Sequence, residues 1–269
     1  MRFLVVLALI GVVCALPQPT KNRIVGGTPV PIERYPFMAN MQVTWREGVY
    51  ATACGGSLIT RTAVLSAAHC YAIELVGLIR WRARLGSASD KVGGVQHTLT
   101  RFIMHPDFVH ITLRSDVAIV ILTTPATLSN KIKPARIAGP NYPLPDNLRV
   151  YVAGWGSRFH EDHELSEWLL HTDVRVINHE ICTERYAELK NQPGSDFTAE
   201  VTPAMLCTGH LDVGGQDACQ GDSGGPVVHG GDIVVGITSW GHECAHPHYP
   251  GVNARVPSYT QWIVENAVS

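Results

Sequence analysis

The stretch Gln216–Pro226, QDACQGDSGGP, decides how the rest of the chain is read. It sets Ser223 between Asp222 and two glycines, with Asp217 six positions upstream. A serine hydroxyl is a weak nucleophile and needs a base, which in turn needs an orienting group. Gly, Ser and Asp are also ordinary turn residues, so the stretch taken alone is ambiguous. Glycines at 221, 224 and 225 allow another backbone to approach closely. The N–H groups of Gly221 and Ser223 can then converge on one point, as an acyl-transfer oxyanion requires.

Residues 221–225 also satisfy G-x-S-x-G, a turn that joins a strand to a helix in α/β-hydrolases. That fold needs its acid and histidine after the serine, on alternating strands and helices. Only 46 residues follow Ser223, and they read as strands and one helix, so order and space exclude it. The chain instead reads as all-β. VLSAAH (64–69), DVAIVILTT (116–124), LRVYVAGWG (148–156), HTDVRVI (171–177) and DIVVGITSWG (232–241) are short, β-branched and bounded by turn residues. A helix is expected over 258–269, with Ser258 as N-cap, Gln261 completing a capping box, and Tyr259, Trp262 and Ile263 on the docking face. A second short helix is expected over 181–189. A single sandwich fits the length, but two small barrels fit better, joined through the Pro-rich segment 133–147. No internal sequence repeat is visible.

The ends and the composition bound the function. Arg2 precedes an apolar run from Phe3 to Val13, and Val13-Cys14-Ala15 offers small residues for cleavage. Residues 1–15 have the form of a secretory signal peptide, too short in its apolar part to span a bilayer as a helix. Residues 16–23 read as a flexible leader ending at Arg23, a basic processing position before Ile24. Seven cysteines become six once Cys14 leaves with the signal. An even set in a secreted chain implies three disulfides, with fifteen pairings open. No paired C-x-x-C suggests zinc. From Ile24 onward, 18 Lys and Arg face 23 Asp and Glu, a formal charge of about −5. That argues against nucleic acid and against a polybasic membrane anchor. The basic residues divide as 14 Arg and 4 Lys.

The base must come from thirteen histidines. His160 and His163 in HEDHE, and His242, His246 and His248 in GHECAHPHYP, sit in loop-like sequence without H-E-x-x-H, so they read as surface, not metal ligands. His69 differs: it ends the apolar run AVLSAAHC beside Cys70, where a disulfide can pin it. Asp116 opens DVAIVIL, a run apolar enough to be buried on both faces. A buried aspartate there must be paired or hydrogen-bonded. The chain order His69, Asp116, Ser223 is far more specific than any of the three alone.

With these residues in place, the chain resembles a trypsin-type serine protease of the chymotrypsin fold, similar to insect midgut trypsins. The matching stretches are RIVGG (23–27), LSAAHC (65–70), SDVAIV (115–120), AGWG (153–156), DACQGDSGGP (217–226), SWG (239–241) and YPGV (249–252), spread across 24–269. The resemblance implies two six-stranded antiparallel β-barrels, about 24–138 and 139–257, with a C-terminal helix over about 258–269. It implies that Ser223 attacks the scissile carbonyl, His69 carries the proton, Asp116 orients His69, and the Gly221 and Ser223 N–H groups hold the oxyanion. It implies the disulfides Cys54–Cys70, Cys182–Cys207 and Cys219–Cys244. Asp217 is placed at the floor of the specificity pocket, with Ser239, Trp240, Gly241 and Gly251 along its walls, so cleavage after Arg or Lys is expected.

Asp222 has another task by the same resemblance. Cleavage after Arg23 frees the Ile24 α-amine, which inserts and pairs with Asp222, so the uncut chain is an inactive zymogen. Arg23 fits the enzyme's own specificity, so activation by itself or by another trypsin-like protease is expected. Ala218 departs from the family, where many members carry a hydroxyl, and this puts Lys binding at a disadvantage relative to Arg. The segment 87–98, SASDKVGGVQHT, lacks the glutamates with which vertebrate trypsins bind calcium, so no metal or other cofactor is expected. The expected partners are protein and peptide substrates with Arg or Lys at the cut, proteinaceous inhibitors and the activating protease, with no nucleic acid or membrane. The expected state is a secreted monomer, extracellular in a setting such as the gut lumen. A catalytically silent binding homologue would lose a triad residue, and this chain keeps all three.

Overall fold

The computed structural model describes residues 25–44, 48–72, 80–157, 164–195 and 197–267. The signal and leader readings, with Arg23 and Ile24, lie outside the described residues, as do His160 and His163.

Six strands form the first barrel: β1 (Met38–Thr44), β2 (Ala51–Leu58), β3 (Ala63–Ser66), β4 (Arg80–Leu85), β5 (Val95–Met104) and β6 (Ala118–Leu122). They pair antiparallel in the ring β1-β2-β3-β6-β5-β4, closed by β1 against β4. Six more form the second: β7 (Arg149–Gly154), β8 (Leu170–Val176), β9 (Met205–Gly209), β10 (Pro226–His229), β11 (Ile233–Trp240) and β12 (Gly251–Arg255). Their ring is β7-β8-β9-β12-β11-β10, closed by β7 against both β8 and β10. The strand order is therefore the same in both barrels. Closure satisfies every edge, which is how antiparallel sheets avoid unpaired rims.

The local patterns follow from this geometry. In β8, Leu170, Thr172, Val174 and Val176 point inward while His171, Asp173 and Arg175 alternate toward the surface. β6, AIVIL, is buried at every position, as its unbroken apolar run requires. The Pro-rich segment is more than a tether, because Arg136–Ile137 pairs in parallel with Ile233–Val234 of β11.

Helix α1 (His179–Lys190) starts at Asn178, whose side-chain oxygen accepts the Ile181 N–H at 3.1 Å, and buries Cys182, Tyr186 and Leu189 on one face. Helix α2 spans Val256–Ala267 and buries Tyr259 and Ile263, with Trp262 packed beside them. It begins two residues before Ser258, so Ser258 lies inside the helix and is not its cap. Pro257 is accommodated because first-turn N–H groups have no intrahelical partner to lose. Among the described residues no helix is long and apolar enough to cross a membrane.

Three disulfides are present: Cys54–Cys70, Cys182–Cys207 and Cys219–Cys244. The first ties β2 to the short 3-10 turn Ala68–Cys70, and the second ties α1 to β9.

Candidate active site

His69 lies in the turn Ala68–Cys70 that follows β3, one turn beyond the strand end that its sequence suggests. Asp116 likewise precedes β6 by two residues instead of opening it, and Ser115 before it has a left-handed backbone (φ 53°). The two meet. Asp116 accepts the His69 backbone N–H at 2.8 Å through one oxygen and faces His69 Nδ1 at 2.7 Å through the other. Ser239 Oγ, from the second barrel, donates to the same oxygen that faces Nδ1. Asp116 is 1% exposed, so three donors replace the water its carboxylate would otherwise hold. With a proton on Nδ1 toward Asp116, the Nε2 lone pair of a neutral His69 is free to take another proton.

Ser223 meets the first barrel through its backbone. Its carbonyl accepts the Gly55 N–H at 2.7 Å and lies 3.8 Å from Cys70 Sγ, beside His69. In the turn around it, the N–H groups of Asp222, Gly224 and Gly225 bond to Cys219, Thr238 and Asp222 carbonyls at 2.8–2.9 Å. The N–H groups of Gly221, just before them, and of Ser223 have no acceptor among the described residues. The turn thus spends three of its five donors and leaves two N–H groups for an incoming oxygen.

Ser223 also edges a cavity of about 210 Å³ whose lining includes Asp217, Ser239, Trp240, Gly241 and Gly251. Cys219 and Cys244 line it too, so their disulfide joins its walls. Asp217 is 5% exposed and accepts backbone N–H groups from Ala218 at 2.9 Å and Ala245 at 3.4 Å. Burial pushes its carboxyl up to about 7, against the opposing pull of those N–H groups. Gly251 is required where it is: a Cβ there would lie 2.9 Å from both Asp217 carboxylate oxygens.

Asp222 turns away from the cavity. It is 1% exposed and accepts the N–H groups of Gly156 at 2.7 Å and Cys219 at 2.9 Å. Burial pushes it, too, up to about 7. A Cβ at Gly154 or Gly156 would come within 2.2 Å of its oxygens, which gives the AGWG stretch a physical cause: two glycines clasp one carboxylate. Val25 lies close by, since it bridges to Asp217 and its carbonyl accepts the Asp217 N–H at 3.4 Å.

The candidate cation ligands resolve differently. Among the described residues one group of donors converges, Cys54, His69 and Cys70, but both sulfurs are spent in the disulfide and offer no thiolate. His246 Nδ1 accepts the N–H groups of His248 at 3.0 Å and Tyr249 at 3.2 Å, and His248 Nε2 faces Glu188 at 3.0 Å. Those histidines brace the loop around Tyr249. Two contributors escaped the sequence reading. One is the Ser239 bond to Asp116; the other is Glu243, which lines the cavity.

The family model described as Trypsin matches residues 24–263. The chain is 43% identical over 269 residues to "Trypsin, alkaline A" of Manduca sexta, covering 98% of this chain and 99% of that one. It is 42% identical over 255 residues to "Trypsin CFT-1" of Choristoneura fumiferana, covering 95% and 94%. "Serine protease 1" of Rattus norvegicus matches at 35% over 266 residues, covering 98% and 97%.

Proposed function

The chain belongs to the trypsin family and is a trypsin-like serine endopeptidase, and we propose that it is made as a secreted zymogen and cleaves after Arg or Lys. The observation that carries the specificity is a buried carboxylate, Asp217, in the cavity that Ser223 edges. A long cationic side chain repays the burial of that charge, whereas an apolar one leaves it unpaired.

The chemistry follows the established serine-protease mechanism. Ser223 Oγ attacks the carbonyl carbon and passes its proton to His69 Nε2. The developing oxyanion takes the free N–H groups of Gly221 and Ser223. His69 then gives the proton to the departing amine as the C–N bond breaks, leaving an ester on Ser223. Water, deprotonated by His69, cleaves the ester. Asp116 holds the imidazole in its tautomer and stabilises the imidazolium.

Activation by cleavage after Arg23 frees the Ile24 α-amine to pair with Asp222. The support is that Asp222 is buried with only backbone N–H partners among the described residues, while Val25 docks on Asp217 in the same turn. A digestive role in alkaline fluid is supported by the excess of 14 Arg over 4 Lys beyond Arg23 and by the name of the Manduca sexta relative. Arg keeps its charge above about pH 10, where Lys begins to lose it. Protein substrates and proteinaceous inhibitors are its partners, and the enzyme acts as a monomer.

The test is labelling with an organophosphate before and after limited tryptic cleavage, followed by a cleavage-site profile. Label on Ser223 only after the cut, and products ending in Arg or Lys, are expected. Equal labelling of the uncut chain would overturn the zymogen reading, and products ending in apolar residues would overturn the specificity.

A further inference from the structure

The cavity holds a second carboxylate that the Arg/Lys reading does not use. Glu243 lines its mouth, is solvent-exposed, and has no ion-pair partner among the described residues. Its backbone is left-handed, with φ 61°, a conformation that costs an ordinary residue about 1–2 kcal/mol relative to glycine. The chain therefore carries a charged side chain where glycine would be the unstrained choice.

The position is fixed from both sides. Glu243 precedes Cys244, which is bonded to Cys219 on the opposite wall. Ala245, also left-handed at φ 55°, donates its N–H to Asp217. The Glu243 carbonyl lies 3.4 Å from where a Cβ on Gly241 would stand, so Glu243 backs that wall. The mouth carboxylate and the floor carboxylate thus belong to one short, cross-linked segment.

We propose that Glu243 is a specificity-determining residue that selects substrates with a second basic side chain on the acyl side of the cleaved bond. The assignment rests on the reading of Asp217 and Ser223 given above. Its side follows from the direction of the wall. The departing amine must pass His69, which sits with Asp116 and the Cys54–Cys70 disulfide, and Ser239 touches that group. Glu243 lies four residues further along the wall, past Gly241. A cation seated on Asp217 fills the cavity, so an exposed charge at its mouth addresses the neighbouring residue of the substrate.

An exposed pair contributes modestly, corresponding to about 2- to 5-fold in kcat/KM. The effect falls on KM, because the contact is the same in ground and transition states. The experiment measures kcat/KM on peptides with Arg at the cut and Lys, Ala or Glu at each of the three preceding positions. For each enzyme the ratio Lys to Ala is taken, so a general change in activity cancels. The unsubstituted enzyme is expected to prefer Lys at one of these positions by 2- to 5-fold. The preference should vanish at 1 M salt, where the screening length is about 3 Å. Glu243→Gln should abolish it, and Glu243→Lys should reverse it toward Glu. A ratio near 1 in the unsubstituted enzyme, or one that survives Glu243→Gln or high salt, overturns the proposal while cleavage after Arg leaves the underlying specificity standing. Absence of cleavage after Arg overturns both.

Discussion

Replacing Asp217 by Asn in a chain that also carries Ser223→Ala, to prevent self-cleavage, tests the electrostatics of the pocket without any turnover. Burial carries the Asp217 carboxyl from 3.8 up to about 7. Three pH units correspond to about 4 kcal/mol. In the unfolded chain this carboxyl loses its proton near pH 4; in the folded chain it does so near pH 7. Between those values the folded state binds more protons, so stability is fully present below pH 4 and falls as pH rises through 7. The Asp217→Asn variant lacks that fall. Measured from its offset at pH 4, its stability relative to the parent should rise by up to about 4 kcal/mol by pH 8, roughly 8–16 °C in Tm for a chain of this size. Ala218 and Ala245 bond different oxygens of Asp217, so Asn leaves one of the two N–H groups facing its NH2, a cost of about 1–3 kcal/mol that does not change with pH. Thermal unfolding followed by circular dichroism from pH 4 to 9 measures the difference. Asp222 adds a step of its own to both proteins, so the difference reports Asp217 together with its repulsion from Asp222. Curves that stay parallel between pH 5 and 8 would refute the reasoning. In the Ser223 enzyme the same variant should lose about 10³-fold in kcat/KM on Arg substrates, the kinetic equivalent of 4 kcal/mol.

Three further outcomes are expected. Gly251→Ala sets a methyl 2.9 Å from the Asp217 oxygens, so it should lower kcat/KM on Arg and Lys substrates by at least 10-fold while ester labelling of Ser223 persists. Ala218→Ser restores a hydroxyl beside Asp217 and should raise the Lys-to-Arg ratio of kcat/KM by about 3- to 10-fold, the range of one net hydrogen bond; a parent enzyme that already prefers Lys would contradict this. Arg84, 4% exposed, donates to the carbonyls of Gly93 and Lys91, so a cation of the chain itself already fills that loop. EDTA should leave Tm unchanged, whereas Arg84→Ala, which orphans those carbonyls, should lower it by several degrees.

How far the fold could be read in advance depended on what each strand buries. AIVIL and the alternation LHTDVRV carry their burial in their own residues. β1, MANMQVT, is buried at all seven positions although Asn40, Gln42 and Thr44 are polar; Asn40 bonds Thr52, and Gln42 bonds Asp90. Such satisfaction comes from distant chain and leaves no periodic trace. The shared strand order of the two barrels is invisible for the same reason, since it resides in pairing and not in repeated residues. In the site, His69, Asp116 and Ser223 were legible because each stands in a distinctive local context. Ser239 stands 123 residues from Asp116, and only closure of the second barrel against the first brings its hydroxyl there.

The turn that carries Ser223 buries two carboxylates five residues apart, and Asp222 is among the influences that raise Asp217. Each ionised carboxylate therefore makes ionisation of the other harder. A cation paired with Asp222 removes that repulsion and lets Asp217 ionise at lower pH, so it strengthens the pull on a cationic ligand in the cavity. Linkage is reciprocal: a ligand on Asp217 must favour the paired state of Asp222 by the same factor. Cleavage after Arg23 should thus tighten binding of a guanidinium ligand such as N-acetylarginine amide to the Ser223→Ala protein, and Asp222→Asn should reduce the difference between cut and uncut chains. Calorimetric titration of both forms near pH 7 measures it. Equal affinity before and after the cut would mean that the two carboxylates, though neighbours in one turn, act independently.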